Sequence, residues 1–146
     1  MMAGQVFAVC VGTRKGIAKT PQPRVRLIAG LGLEGDAHSG PGLRQVSLLA
    51  QESADKIRAR GLAVAPGDFA ENIATLGIDL PSLSVATRLK IGLDAVVEIT
   101  QLGKQCHDRC AIYQKTGDCV MPREGIFARV LCGGSVRPGD RIETLA

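Results

Sequence analysis

Three of the five cysteines in this 146-residue chain fall in one short stretch, together with one of the two histidines. Thiolates are nucleophiles and soft metal ligands, and nearby cations favour the thiolate over the thiol. We therefore predict that this stretch carries the chemistry of the protein. Its candidate residues are Cys106, His107, Cys110 and Cys119, and the cations Lys104, Arg109, Lys115 and Arg123 surround them.

The cysteine cluster supports three hypotheses. A zinc site has the right donor types, but the C-H-x2-C-x8-C spacing differs from zinc fingers, and adjacent residues rarely bind one ion. A disulfide between Cys110 and Cys119 conflicts with a reducing cytosol. The third hypothesis is a reactive thiolate at Cys106, at a predicted strand-to-helix junction beside Lys104 and His107. Such a sulfur can attack an electrophile, carry a persulfide or bind molybdenum.

Two loops in the first third of the chain carry candidate ligand-binding residues. The turn TRKGIAKT places Lys15 and Lys19 around Gly16, which suits either a solvated loop or a phosphate site. Residues 30–42 contain five glycines, and His38 lies among them. Function is one common reason for such a loop in a compact domain, so His38 is either solvated or directed at a ligand.

Composition limits the class of protein. The length and the absence of a linker predict a single domain, residues 1–146. The net charge is only +4, the cations are dispersed and aromatic residues make up 3%, so we expect no nucleic-acid partner. The chain shows no signal peptide and no apolar run long enough to span a membrane. With an odd cysteine count, this predicts a cytoplasmic protein.

The hydropathy pattern predicts a mainly β fold. Alternating or continuous apolar runs, interrupted by many of the 18 glycines and seven prolines, indicate about seven short strands. Two short helices are predicted at residues 51–60 and 106–114. Closing so many short strands removes exposed edges, so we favour a closed barrel. The predicted strands lie at residues 5–12, 24–29, 45–50, within 67–76, at the end of 80–92, and at 94–102, 125–132 and 141–145.

The order of several blocks resembles a known family. GLEGDAHSG, RQVSLLA, GDFAENI, EITQLGKQCHDRCAIY, GDCVMPREGIFARV and VRPGD follow one another as in the stand-alone MOSC domains, relatives of the C-terminal domain of molybdenum cofactor sulfurase. The similarity extends from about Val6 to Ile142. It implies a closed β-barrel of about seven strands, similar to the pyruvate kinase barrel, with two or three short flanking helices.

The resemblance also implies a shallow pocket for molybdenum cofactor (molybdopterin). In relatives that reduce N-hydroxylated bases, a cysteine that follows a TQ-containing strand coordinates molybdenum. Thr100, Gln101 and Cys106 match that pattern, so the resemblance implies Cys106 as metal ligand and catalytic residue. The turn at Lys15 and Gly16 is similar to the stretch that holds the cofactor phosphate. The full set assigned to cofactor binding is Lys15, Gly16, Lys19, His38, Gly40, Arg44, Asn72, Lys104 and Arg123.

The chain departs from the family pattern in places. Leu43 stands where compact members often carry histidine, and Ala86 stands where glycine is expected. The ferredoxin-like extension of the full reductases is also missing, so a partner protein must deliver electrons.

The leading hypothesis is a molybdenum-cofactor protein, acting as a small oxidoreductase for N-hydroxylated substrates. The alternative is a non-catalytic persulfide carrier, or cofactor-delivery module, that docks on a larger partner and receives sulfur from a cysteine desulfurase-like donor. A third hypothesis is a zinc-stabilised binding module.

Overall fold

The computed structural model describes residues 2–103 and 124–145 of the chain. Within these ranges the backbone forms eleven β-strands, one α-helix and one short 3-10 helix. The α-helix, α1, spans Gln51–Arg58, and the 3-10 helix spans Leu80–Ser82. The strands are β1 (Ala3–Val11), β2 (Thr20–Gln22), β3 (Val25–Ile28), β4 (Gly32–Leu33), β5 (Val46–Ala50), β6 (Ile73–Leu76), β7 (Arg88–Ile91), β8 (Ala95–Leu102), β9 (Ile126–Cys132), β10 (Gly134–Val136) and β11 (Arg141–Thr144).

Seven of the strands form a closed barrel. They are hydrogen-bonded in the order β11-β7-β8-β9-β5-β6-β1, and a further pairing between β11 and β1 closes the ring. The closing register places Ala3 opposite Glu143 and Gln5 opposite Arg141. Because the ring is closed, each of the seven strands is hydrogen-bonded to a neighbour on both sides, as expected for a barrel that removes exposed strand edges. The prediction of a mainly β fold with a closed barrel of about seven strands is confirmed.

Strand β5 is buried on both faces, which explains why its sequence VSLLA does not alternate. Val46 and Leu48 belong to the barrel core, whereas Leu49 joins a second apolar cluster with Ile57 of α1 and Phe127 of β9. The helix therefore shields the outer face of β5. It also connects β5 to β6, which run parallel, and parallel neighbours require a crossover connection.

The helix α1 lies within the predicted range of residues 51–60. Glu52 is in its first turn and Lys56 and Arg58 are in its last, the order of charges that the helix dipole favours. The described residues hold this α-helix and the 3-10 helix rather than two or three flanking helices. The second predicted helix, at residues 106–114, lies outside the described residues.

The sequence patterns miss three short strands, β2, β4 and β10. Each contains two or three residues, too few to show a period of apolar residues. Strands β10, β3 and β4 form a separate three-stranded sheet from which the glycine-rich loop departs. Gly32 in β4 has no room for a side chain, because a Cβ atom there would lie 2.4 Å from the carbonyl oxygen of Gln45.

Ala86, just before β7, has a left-handed backbone conformation with a φ of +77°. The MOSC resemblance leads us to expect glycine at this position. The residue is exposed, and its N–H donates a hydrogen bond to the carbonyl oxygen of Ile99 over 2.8 Å. A Cβ atom crowds the backbone in this conformation at a cost of roughly 1–2 kcal/mol. The departure from the family pattern therefore stores strain at this turn.

We predict that Ala86→Gly raises the free energy of unfolding by roughly 0.5–1 kcal/mol, since relief of strain exceeds the added entropy of the unfolded chain. Urea unfolding of both proteins measures the difference. The matched control is Ala63→Gly, because Ala63 is also exposed but has no left-handed conformation. This control should have a lower free energy of unfolding than wild type. An equal decrease in Ala86→Gly would contradict backbone strain at Ala86.

Candidate functional site

The carboxylate of Asp36 lies at the centre of the candidate site and is buried. Its Oδ1 accepts hydrogen bonds from the Gly12 N–H (3.0 Å), the Lys19 ammonium (2.8 Å) and the Asn72 side-chain amide (3.0 Å). Its Oδ2 accepts the N–H of His38 over 3.0 Å. These donors come from the end of β1, the basic turn, the start of β6 and the glycine-rich loop. One carboxylate thus joins four segments at one end of the barrel.

Lys19 is an internal partner of this carboxylate. Its side chain has no exposed surface, and its ammonium group lies 2.8 Å from Asp36 Oδ1 and 3.1 Å from Nδ1 of His38. The sequence suggested a lysine directed at the phosphate of a ligand. In the structure the ammonium neutralises a buried carboxylate, a role that the spacing of the two residues in the sequence does not reveal.

The ionisation of Asp36 depends on these contacts. Burial alone raises the pKa of a carboxyl group, but the hydrogen bonds from the Lys19 ammonium and from the backbone N–H groups of Gly12 and His38 outweigh it and hold the pKa of Asp36 well below its ordinary value. The carboxylate therefore stays charged in the folded protein. Its contribution to stability is present above the pKa of the unfolded chain, near 4, and is lost as the pH falls below it.

Asn72 is also buried and has no exposed surface. Its Oδ1 accepts the N–H of Ser47 over 3.0 Å and the Ser47 hydroxyl over 3.2 Å. Its Nδ2 donates to the carbonyl oxygen of Cys10 over 3.1 Å and to Asp36. The side chain therefore connects β1, β5 and the glycine-rich loop, beneath the residues that a ligand could reach.

Three predicted residues around this network are accessible. The side chain of His38 is 21% exposed, Lys15 is exposed, and Gly16 is partly buried with a φ of +77°. The N–H of Ala37 donates to the Gly12 carbonyl oxygen over 2.7 Å, so the basic turn and the loop are held side by side.

The glycine backbone in this region faces open space. A Cβ atom built on Gly16 or Gly40 would meet no atom of the described residues within 4 Å. A ligand can therefore approach the backbone closely at both positions.

A second cluster surrounds Arg44, further along the same loop. Its Nε donates to Oε1 of Gln101 over 3.1 Å, and its guanidinium carbon lies 5.2 Å from the ring centre of Phe127, a cation–π distance. The Thr100 hydroxyl lies within hydrogen-bond distance of the carbonyl oxygens of Leu43 and Phe127 and can donate to either. The residues that match the family motif thus lie against the end of the glycine-rich loop.

The remaining predicted residues, Lys104, Cys106 and Arg123, lie outside the described residues, as does the proposed zinc set. Within residues 2–103 and 124–145, no group of three or more His, Cys, Asp or Glu side chains is arranged to hold a metal ion. None of the helices in those ranges is long and apolar enough to cross a bilayer.

Sequence reasoning assigned no role to Asp36 or Gln45. Gln45 is buried, donates from Nε2 to the Gly30 carbonyl oxygen over 3.0 Å, and accepts the Val130 N–H over 2.9 Å. It anchors the start of the glycine-rich loop to the barrel. Both are polar residues within or just after the glycine-rich loop, where backbone N–H and C=O groups need hydrogen-bond partners, and this is the signal in the sequence.

Glu71 is a buried acid next to this network, with 1% of its surface exposed. Its Oε1 accepts the N–H of Phe69 over 3.2 Å. Burial raises the pKa of Glu71 to about 7, against the opposing effect of backbone N–H groups. Burial also raises the pKa of the neighbouring Cys10 thiol to about 12, and the charge of Glu71 adds to that shift. Cys10 is therefore an unreactive core thiol, as expected from its strand.

A cavity of about 650 Å³ opens beside the end of β1. Its polar lining includes Gln22, Arg24, Arg26, Glu34 and Ser135, none of them a predicted site residue. The two arginines make the surface near the basic turn more positive, which favours anions.

These features define a closed β-barrel domain with a loop-built, cation-bearing site at one end. The family model of the MOSC domain matches residues 34–143 of the chain. The chain therefore belongs to the MOSC domain family, and the resemblance seen in the sequence is confirmed. No curated protein matches it in sequence.

Solved structures share the fold. The YuaD protein from Bacillus subtilis superposes with a TM-score of 0.82 at 21% identity, covering 98% of this chain and 96% of that one. YiiM from Geobacillus stearothermophilus gives a TM-score of 0.73 at 21% identity, with 98% and 75% covered. YiiM from Escherichia coli gives 0.71 at 21% identity, with 100% and 71% covered. At this identity the likeness establishes the fold alone.

We predict that Asp36→Asn lowers the free energy of unfolding by roughly 3–5 kcal/mol, because it leaves the buried Lys19 ammonium without a counter-charge. Glu98→Gln is the control. Glu98 also pairs with two cations, Arg88 and Arg129, but at the surface. Chemical unfolding should give a much smaller loss for the control. Similar losses of unfolding free energy in the two variants would contradict the prediction that the buried Asp36–Lys19 pair stabilises the fold more than a surface pair does.

The raised pKa of Glu71 predicts that the free energy of unfolding depends on pH. A raised folded-state pKa means that its contribution is fully present below the unfolded pKa of about 4.5 and is lost as the pH rises through about 7. The loss is on the order of 3 kcal/mol. The free energy of unfolding of Glu71→Gln, measured against wild type from pH 4.5 to 8, should show a relative gain as the pH rises. A constant difference across this range would contradict the assignment.

Proposed function

We propose that this MOSC protein binds molybdenum cofactor, with Lys15, Gly16, His38 and Gly40 around the phosphate end and Cys106 as metal ligand or sulfur acceptor. The bound cofactor would supply two-electron chemistry at molybdenum, and the protein would supply binding, orientation and electrostatics. On this proposal the protein is a small oxidoreductase for N-hydroxylated substrates.

The observation that carries the proposal is the way in which Asp36 joins the basic turn to the glycine-rich loop. The carboxylate is neutralised internally by Lys19, so it does not repel an anion at the surface. Arg14 and Lys15 remain exposed and make no ion pair with the described residues. Two exposed cations beside the glycine backbone suit a phosphate group.

The metal end of the proposed site is supported by the second cluster. Val46, Ala128 and Ile99 lie in register across three strands, and beyond a register shift Gln101 lies opposite Phe127, which pairs with Ser47 near the start of β5. Arg44 reaches Gln101 from the loop. Arg44 follows His38 by six residues, so the Cα atoms of the two lie at most about 21 Å apart. A ligand elongated along the loop would contact both clusters.

Other parts of the proposal rest on the sequence. Lys104 and Arg123 stay predicted contacts of the cofactor, and the cytoplasmic location stays a prediction. A partner that donates electrons, or a cysteine desulfurase-like protein that donates sulfur, also stays a prediction. The persulfide carrier is the competing outcome of the experiment below.

Purification from a host that makes molybdenum cofactor tests the proposal. We expect molybdenum by elemental analysis together with the fluorescence of the oxidised pterin. We expect Cys106→Ala to lose the molybdenum, while Cys132→Ser, which replaces an exposed thiol in β9, retains it. Cyanide-releasable sulfur without molybdenum would favour the carrier, and stoichiometric zinc would contradict both.

The phosphate end is tested by Lys15→Ala combined with Arg14→Ala, because replacing Lys19 would leave Asp36 unpaired. We expect pterin retention to fall several-fold, and the difference from wild type to shrink as salt screens the charges. The control, Lys90→Ala with Arg137→Ala, removes the same charge from elsewhere on the barrel. If both pairs behave alike, the turn has no specific role.

A further inference from the structure

The ring of His38 lies against an ammonium group. Lys19 Nζ is 3.1 Å from Nδ1 of His38. An ammonium group carries only donors, so a hydrogen bond between the two requires Nδ1 to be the acceptor. A neutral imidazole that accepts at Nδ1 carries its proton on Nε2.

The Asp36 carboxylate does not draw the ring proton from Nε2 to Nδ1. Its Oδ2 is 3.6 Å from Nδ1, beyond hydrogen-bond distance, and already accepts the backbone N–H of His38 over 3.0 Å. Protonation of Nδ1 would also point one donor at another and place two positive charges about 3 Å apart in a buried setting. The contacts of the ring therefore favour one protonation form.

We propose that Lys19 is a positioning residue that fixes His38 as the neutral Nε2–H tautomer. The ring then carries a hydrogen-bond donor at Nε2, and the side chain is 21% exposed. The ligand group that it recognises must carry a lone pair, as an oxo group, a phosphate oxygen or an unprotonated ring nitrogen does. The ligand part of this inference rests on the proposed function, whereas the tautomer does not.

Nitrogen NMR of the cofactor-free protein tests the tautomer. The chain has two histidines, so His107→Gln assigns the ring signals of His38. At pH 7.5 we expect Nδ1 to show the shift of an unprotonated nitrogen and Nε2 that of a protonated one. A protonated Nδ1, in either the neutral or the charged ring, would overturn the inference.

The role of Lys19 is tested by Lys19→Met combined with Asp36→Asn, which removes both charges of the buried pair together. We expect the His38 signals to become the average of two exchanging tautomers. Retention of a pure Nε2–H form would show that Lys19 is not the cause. If the double variant does not fold, the wild-type spectrum alone decides the tautomer.

The donor role is tested by comparing His38→Gln with His38→Asn. The amide of glutamine reaches the position of Nε2 and can donate there, whereas that of asparagine reaches only the position of Nδ1. We expect at least roughly tenfold more co-purified pterin with glutamine. Equal content would refute the donor role. Absence of pterin from wild type would contradict the proposed function and leave the NMR result intact.

Discussion

The buried charge of Asp36 is the constraint on which the loops at this end of the barrel depend. A carboxylate out of water is costly unless it is paired and fully hydrogen-bonded. Here Lys19 supplies the counter-charge, and Gly12, Asn72 and His38 supply the other donors. Each donor is on a different segment. The carboxylate is therefore satisfied only when all four segments are in place, which makes the arrangement of the loops all-or-none.

This polar network complements a barrel core that is almost wholly aliphatic. The core is built from Val, Ile, Leu and Ala, with Phe69 and Phe127 in the cluster around α1. Apolar packing fixes the strands but cannot order a loop with five glycines between residues 30 and 42, which has few side chains to bury. Asp36 and Gln45 do so by directional hydrogen bonds. The rigid scaffold and the adaptable site are thus held by different kinds of interaction.

The sequence predicts the scaffold better than the site. Strand β8 alternates clearly, and α1 has its charges in the expected order, so both are found within a few residues of their observed limits. The short strand β2 is set by its neighbour β1 and has no pattern of its own.

Within the site, Lys19, His38 and Asn72 are recognisable as polar residues in unusual places, and the structure does bring them together. That they meet at Asp36 is not visible in the sequence, because Lys19 is 17 residues away and Asn72 is 36. Patterns of charge near glycine suggest ligand contact, but they do not distinguish a lysine that meets a ligand from one that neutralises an internal acid. Cys106 lies outside the described residues, so its role stays a prediction.

The pairing of β1 with β11 has a consequence for biosynthesis. The strand Ala3–Val11 is synthesised before the other strands of the barrel, and its partner on one side, Arg141–Thr144, is made more than a hundred residues later. Until then one edge of β1 exposes unpaired amides and carbonyls, which other chains can recruit. Such non-local closure is slow, so the nascent chain passes through an aggregation-prone interval. Chaperone capacity during translation should therefore influence the yield of folded protein.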